Sequence, residues 1–355
     1  MKKFLDGKLL CATKNNLLIY KKGYLLFCNL NEPEKVIKQV KIQGLCGKIN
    51  ALARLLRLEP RCAIALDNEN FLISFKGIIL HYSTVSNSLI EEHRFEKGMN
   101  NPLSFCIVTL KSGEKEIYYG EYIWNTEKGP VAIYKRKDGE WSKIFEFSAN
   151  SITHIHNIIY DDVRDLFYIL TGDEDNESGI WVADREFKKV QVLIKGKQQY
   201  RSCVAFISND YLYYATDTPL ETNHIYRVSI KKRSDASVER VCEIPGSCIY
   251  GTSIGNRYYL STTVEPDSSL PSWRYRITSK LGKGIKDRYS HIILIDEDGT
   301  IKECKKLKKD IWPMWLMQFG NVLFPYNETQ TVYFTTQAVS PGHAQTFYLD
   351  EDEIC

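Results

Sequence analysis

The chain has 355 residues, 43% of them hydrophobic and 26% charged, with 22 tyrosines raising the aromatic content to 12%. That length exceeds one ordinary core, leaving two domains or one large all-β architecture, and the composition excludes a disordered chain. A formal net charge of +3 gives no support to a nucleic-acid-binding or membrane-surface protein on electrostatics alone. At the N-terminus, MKKFLDGKLL carries two lysines but no apolar run, because Asp6, Gly7 and Lys8 interrupt it. No signal peptide is expected, and no later window is apolar for long enough to span a bilayer. The ten cysteines include no CxxC pair and read as reduced, buried thiols. A cytoplasmic monomer is expected, without a nucleic-acid or membrane partner.

In chain order, segments 4–42 and 48–95 each hold short strand-like runs. The second begins with INALARLLRL, residues 49–58, which is briefly helical or the start of a strand. The pattern then sharpens. Residues 101–149 contain LSFCIVTL, EIYYGEY, PVAIYKRKDG and WSKIFEFS; residues 152–196 contain HIHNIIYDD, LFYILTGD, GIWVADRE and KKVQVLIKG. Residues 198–246 repeat the order with SCVAFISN, YLYYATD, NHIYRVSI and SVERVCEI. Asp, Asn and Gly punctuate these runs as hairpins require. Residues 248–310 follow suit around a long insertion, roughly 266–289, which exceeds ordinary loop length. Residues 315–351 are one clear strand short, and the N-terminal residues 4–12 are expected to supply it. The basic runs KKR at 231–233 and KECKKLKK at 302–309 read as solvated faces. Seven such units predict an all-β fold: a seven-bladed β-propeller of four-stranded antiparallel blades, a single domain over 1–355.

YKRKDGEW at 134–141 resembles a degenerate Asp box, the hairpin that recurs in sialidase-like propellers (the BNR repeat). WVADREFKKV at 181–190 is similar to a second copy and LIDEDGTIKE at 294–303 to a third. The resemblance implies that Asp138 and Asp184 sit in structural turns remote from the functional face. The family's Arg-Ile-Pro stretch is missing and its arginine triad has no assignable counterpart, so a true sialidase is not implied.

In a propeller, the crossings between blades and the loops between second and third strands share one face, and closed β-structures bind ligands at such mouths. His154 and His156 begin an inner strand, and their spacing of two puts both on one side of it. Gln199, Tyr200 and Arg201 stand at the start of the next inner strand. Glu121, Asp217 and Glu265 end second strands, Asp173 and Asp175 lie in the loop TGDEDNES, and Lys309, Asp310 and Trp312 lie on a crossing. His154 and His156 could hold a divalent metal if Asp173 or Asp175 joined them, or they could simply be satisfied polar residues at a strand start.

Two readings follow. In the first, the protein is a carbohydrate-active enzyme on a glycan or acidic saccharide. Some polysaccharide lyases are seven-bladed propellers using His, Tyr and Arg, one group with a metal on a His-x-His pair. This similarity implies His154 and His156 as base or metal ligands, Tyr200 as acid or base and Arg201 as carboxylate clamp. Glu121, Asp173, Asp217, Glu265 and Trp312 would then contact substrate. A glycosidase using two of the carboxylates is the variant. In the second, the propeller is non-catalytic and binds a glycan or protein on the same face.

Overall fold

The computed structural model of the protein describes residues 1–231 and 236–350. Seven sheets surround an axis, each entered through an inner strand: Lys8–Ala12, Cys62–Ala65, Cys106–Thr109, His154–Asp161, Ser202–Ser208, Cys248–Ile254 and Asn321–Leu323. The expected seven-bladed propeller is the fold observed. Blade 4 shows the plan: His154–Asp161, Leu166–Gly172, Gly179–Asp184 and Val190–Lys195 pair antiparallel in that order. Its second strand is buried along its whole length, because neighbouring blades cover both of its faces. The outermost strands face solvent; Ile301–Lys308, which contains most of the second basic run, is one of them. In the first basic run Lys231 is exposed and pairs with Asp210 at 3.2 Å, while residues 232 and 233 lie outside the described residues.

The seventh blade takes its outer strand from the N-terminal end. Lys2–Asp6 pairs with Gln345–Tyr348, whereas Lys8–Ala12 belongs to blade 1. The segment 4–12 is therefore divided between two blades. Tyr326–Asn327 adds a short parallel pairing to the inner strand of blade 1, a departure from purely antiparallel, four-stranded blades. Residue 351, the expected end of the last unit, lies outside the described residues.

Seven apolar clusters fill the seven interfaces between blades, and none occupies the centre. Tyrosine suits these wedges, since a large ring covers the pleat; Tyr82, Tyr118, Tyr119, Tyr214 and Tyr259 are almost wholly buried there. The axis is left as a channel, apolar along much of its inner wall and polar at the mouth.

Three segments build the mouth. The crossing after blade 1 contains the helix Asn50–Leu55, so INALARLLRL is helical and not a strand start. The insertion in blade 6 contains the helix Ser272–Ile277. Between them runs the crossing after blade 6, residues 309–320. Arg54 forms an ion pair with Asp310 at 2.6 Å, and Trp315 lies between the guanidinium groups of Arg57 and Arg276, 5.5 and 5.0 Å away. Among the described residues, no helix is long and apolar enough to cross a membrane.

Candidate functional site

The site begins with an irregularity in blade 4. His154 pairs with Gly172 and Ile155 with Thr171, but the register then jumps to Asn157 opposite Leu170. His156 is the extra residue of a β-bulge, a device that re-aims a side chain out of the regular pleat. Both imidazoles turn into the mouth, and their Nε2 atoms approach to 2.9 Å. Gly172 permits this: a Cβ there would lie 2.9 Å from His156 Cε1.

The outer nitrogens fix the tautomers. His154 Nδ1 donates to the Ile123 carbonyl at 3.1 Å and His156 Nδ1 to the Ser202 carbonyl at 2.9 Å. A carbonyl can only accept, so both Nδ1 atoms carry the proton. The two Nε2 lone pairs therefore point at one another, with Asp173 Oδ1 3.2 Å from His156 Nε2 and 3.6 Å from His154 Nε2. Three acceptors converge on one small volume.

Arg201 closes one side. Its Nη2 lies 3.0 Å from Asp173 Oδ1 and 3.4 Å from Asp217 Oδ2, and Cys203 Sγ lies 3.4 Å from Asp217 Oδ2. Burial alone would raise the Asp173 carboxyl; a proton shared with the Nε2 atoms of the two imidazoles, together with the Arg201 charge, holds it far below the carboxylate range instead. Burial lowers His154, against the pull of Asp173. Glu265 is buried, bonded by the Thr263 hydroxyl and close enough to Asp217 to feel its charge; burial first and Asp217 second push it up to about 7.

His154, His156, Asp173, Arg201 and Asp217 are thus brought together, with Glu265 beside them. Tyr200 is not: it ends a short 3-10 turn and packs into the apolar wedge between blades 4 and 5. Glu121 also turns away, accepting the Ala132 amide at 2.7 Å. Asp175 is exposed. Trp312 is on the rim, 53% exposed, and Lys309 is tied to Asp310. The tyrosine that meets the histidines is Tyr122, its ring centroid 4.6 Å from that of His154. A two-residue pairing of Tyr122–Ile123 with Met99–Asn100 holds it there. Arg61 stacks on the other side of the mouth, 5.7 Å from the Tyr122 ring. Its signal was legible: PRCAIA in blade 2 occupies the same crossing-to-strand position as YRSCVA in blade 5.

Glu265 predicts a pH effect. Its folded value lies above the ordinary 4.5, so the folded state holds this proton more tightly than the unfolded chain. The group stabilises the fold fully below about 4.5, and that contribution is lost as the pH rises through about 7. Glu265→Gln should abolish the loss. In chelator, the variant is expected to gain up to about 3 kcal/mol on the wild type between pH 4.5 and pH 8, read from denaturant unfolding. Parallel curves for the two proteins would contradict it.

No protein-family model and no curated protein matches the chain. Solved structures do match. An oligogalacturonate lyase from Vibrio parahaemolyticus is 10% identical, covers 91% of this chain and 88% of its own, and has a TM-score of 0.54. An oligogalacturonate lyase in complex with manganese is 9% identical, covers 100% and 99%, and scores 0.56. A dihydro-heme d1 dehydrogenase is 12% identical, covers 96% and 62%, and scores 0.51. At such identities the likeness is one of fold.

These neighbours overturn the sialidase-like assignment. Its motif has a simpler cause. Asp138 and Gly139 both have positive φ, 52° and 84°, in a two-residue turn between Val131–Lys137 and Glu140–Phe147, the type I′ geometry that Asp-Gly favours in any hairpin. Asp184 caps its own turn, accepting the amides of Glu186 and Lys188. Both aspartates lie in outer hairpins, but general turn chemistry accounts for them.

Proposed function

We propose that the mouth binds a divalent cation together with an acidic saccharide, and that the protein is a lyase-type enzyme on that substrate. The convergence of His154 Nε2, His156 Nε2 and Asp173 Oδ1 carries this reading. Three lone pairs facing one another repel unless a proton or a metal ion lies among them, and two imidazoles with one carboxylate suit manganese, iron or zinc better than magnesium or calcium. The likeness in fold to oligogalacturonate lyases, one of them a manganese complex, supports the same substrate class.

A bound cation would draw charge from the substrate's carboxylate and acidify the adjacent C–H. The chain's own residues supply the rest. Arg201, fixed between Asp173 and Asp217, sets the position of the Asp173 carboxylate. Glu265, half-ionised near neutrality, is suited to take up a proton and return it. Burial keeps the Tyr122 phenol protonated, so that it can donate to a leaving oxygen. Three exposed tryptophans stand on this face, where a sugar ring can stack: Trp124 and Trp312 outside regular elements and Trp273 in the helix Ser272–Ile277. They favour saccharide binding even without turnover, the second reading.

Incubation with oligogalacturonate and manganese tests both. Unsaturated product, seen by ultraviolet absorbance and lost in chelator, supports the enzyme. Cation-dependent retention without product supports the binding module. Neither product nor retention overturns the proposal.

A further inference from the structure

A second chemistry lies deeper in the channel. Farther along the inner strands, a cavity of about 180 Å³ is lined by residues of all seven blades. Its wall includes Lys8, Arg61, Ser104, Asn157 and Tyr250, and not one carboxylate. Lys8 is only 6% exposed; its Nζ donates to the Pro60 carbonyl at 2.7 Å. Arg61 follows Pro60 directly, and its buried Nε has no hydrogen-bond partner. Among the described residues neither cation forms an ion pair. Glu59, whose charge reaches Lys8, is itself bound to His343 at 2.9 Å.

Two like charges in a buried wall raise the energy of the fold unless an opposite charge joins them. Burial, reinforced by Arg61, pulls the Lys8 ammonium down from its ordinary value against the opposing pull of Glu59. The cavity is below the roughly 300 Å³ of a site for a drug-sized ligand and well above the roughly 30 Å³ of one water. It suits one acidic group and no larger body.

We propose that Lys8 and Arg61 form an anion site that takes a compact carboxylate. Two sources can deliver one. The cavity shares Ser104, Asn157 and Gly251 with a wide funnel of about 1070 Å³ on the opposite face, open to small free acids. Arg61 also stacks on Tyr122, which packs on His154, so the acid group of a uronate at the mouth is within reach. This second source alone rests on the function proposed above.

Thermal unfolding of the full chain in chelator, at matched ionic strength, separates them, with acetate, D-galacturonate and neutral D-galactose as probes. Both acids should raise the unfolding temperature and galactose should not. Lys8→Met and Arg61→Met should each weaken acid binding at least tenfold, while Lys8→Arg and Arg61→Lys, which keep the charge, should retain most of it. Lys8→Met should unfold no lower than the wild type when no acid is present. A rise with acetate alone leaves the anion site standing and overturns its link to the saccharide. No rise with either acid, or an undiminished rise in both methionine variants, overturns the site itself.

Discussion

His156→Ala should abolish divalent-cation binding. The wild type is expected to bind manganese in calorimetry and to gain about 2.7 kcal/mol of stability at a cation concentration a hundred times its dissociation constant. Removing His156 takes away one of three converging donors and frees the Ser202 carbonyl from its partner. Even residues that merely orient a metal ligand change affinity by about 10- to 100-fold, so loss of a donor should exceed about 100-fold. His154→Ala should match it. Asp173→Asn should do less, because an amide oxygen still presents a lone pair. The check is the cation-dependent shift in unfolding temperature: an undiminished shift in both histidine variants places the cation elsewhere.

The second large effect concerns stability. Arg201 bridges Asp173 and Asp217, and Asp217 is 6% exposed. Arg201→Ala leaves that carboxylate buried beside Glu265 and Cys203 with no cation, the situation in which removal of one partner destabilises by about 3–5 kcal/mol. Asp173 is more exposed and contributes little to the figure. A loss of about 3 kcal/mol is expected at pH 8, shrinking at pH 5, where the neighbouring Glu265 is protonated and no longer repels the Asp217 carboxylate. Arg201→Lys should recover part, since an ammonium cannot hold both carboxylates in the fixed geometry of a guanidinium. Denaturant unfolding at the two pH values checks it; a loss below about 1 kcal/mol, equal at both, would show that the arginine is no counter-charge.

The architecture was readable because each blade repeats the same punctuation; the bulge that re-aims His156 was not readable from strict alternation, but crossings and second-to-third loops must share one face. That logic brought His154, His156, Asp173, Arg201 and Asp217 to one place. It failed for Tyr200, which precedes Arg201 in a 3-10 turn; neighbours in sequence point apart, so a tyrosine adjacent to a mouth arginine faces the wedge. Glu121 was misplaced for a similar reason, its carboxylate being claimed by a local backbone amide. Tyr122 depends on a pairing with Met99–Asn100, made between two segments with no repeat of their own. The Asp-box resemblance misled because Asp-Gly is favoured in any tight hairpin, whatever the family. Arg61 was missed although its position before an inner strand matches that of Arg201; Lys8 escaped notice because its interest lies in the carboxylates that are missing around it, and sequence does not display an absence in space.

The fastening of blade 7 has a consequence for how the molecule is made. Thr346 donates its hydroxyl to the Gly7 carbonyl at 2.8 Å across 339 residues, and Lys2–Asp6 lies beside Gln345–Tyr348. On a ribosome the strand Lys2–Asp6 emerges ahead of all seven inner strands and waits through the synthesis of six blades for its partner. Until then blades 1 to 6 can only form an open arc, with apolar surface bare at both ends. Closing so long a loop adds little entropy beyond a shorter one but delays the reward of the contacts, so ring closure should be the slow, last event of folding. During that interval the nascent arc is the form most exposed to association with a neighbouring chain.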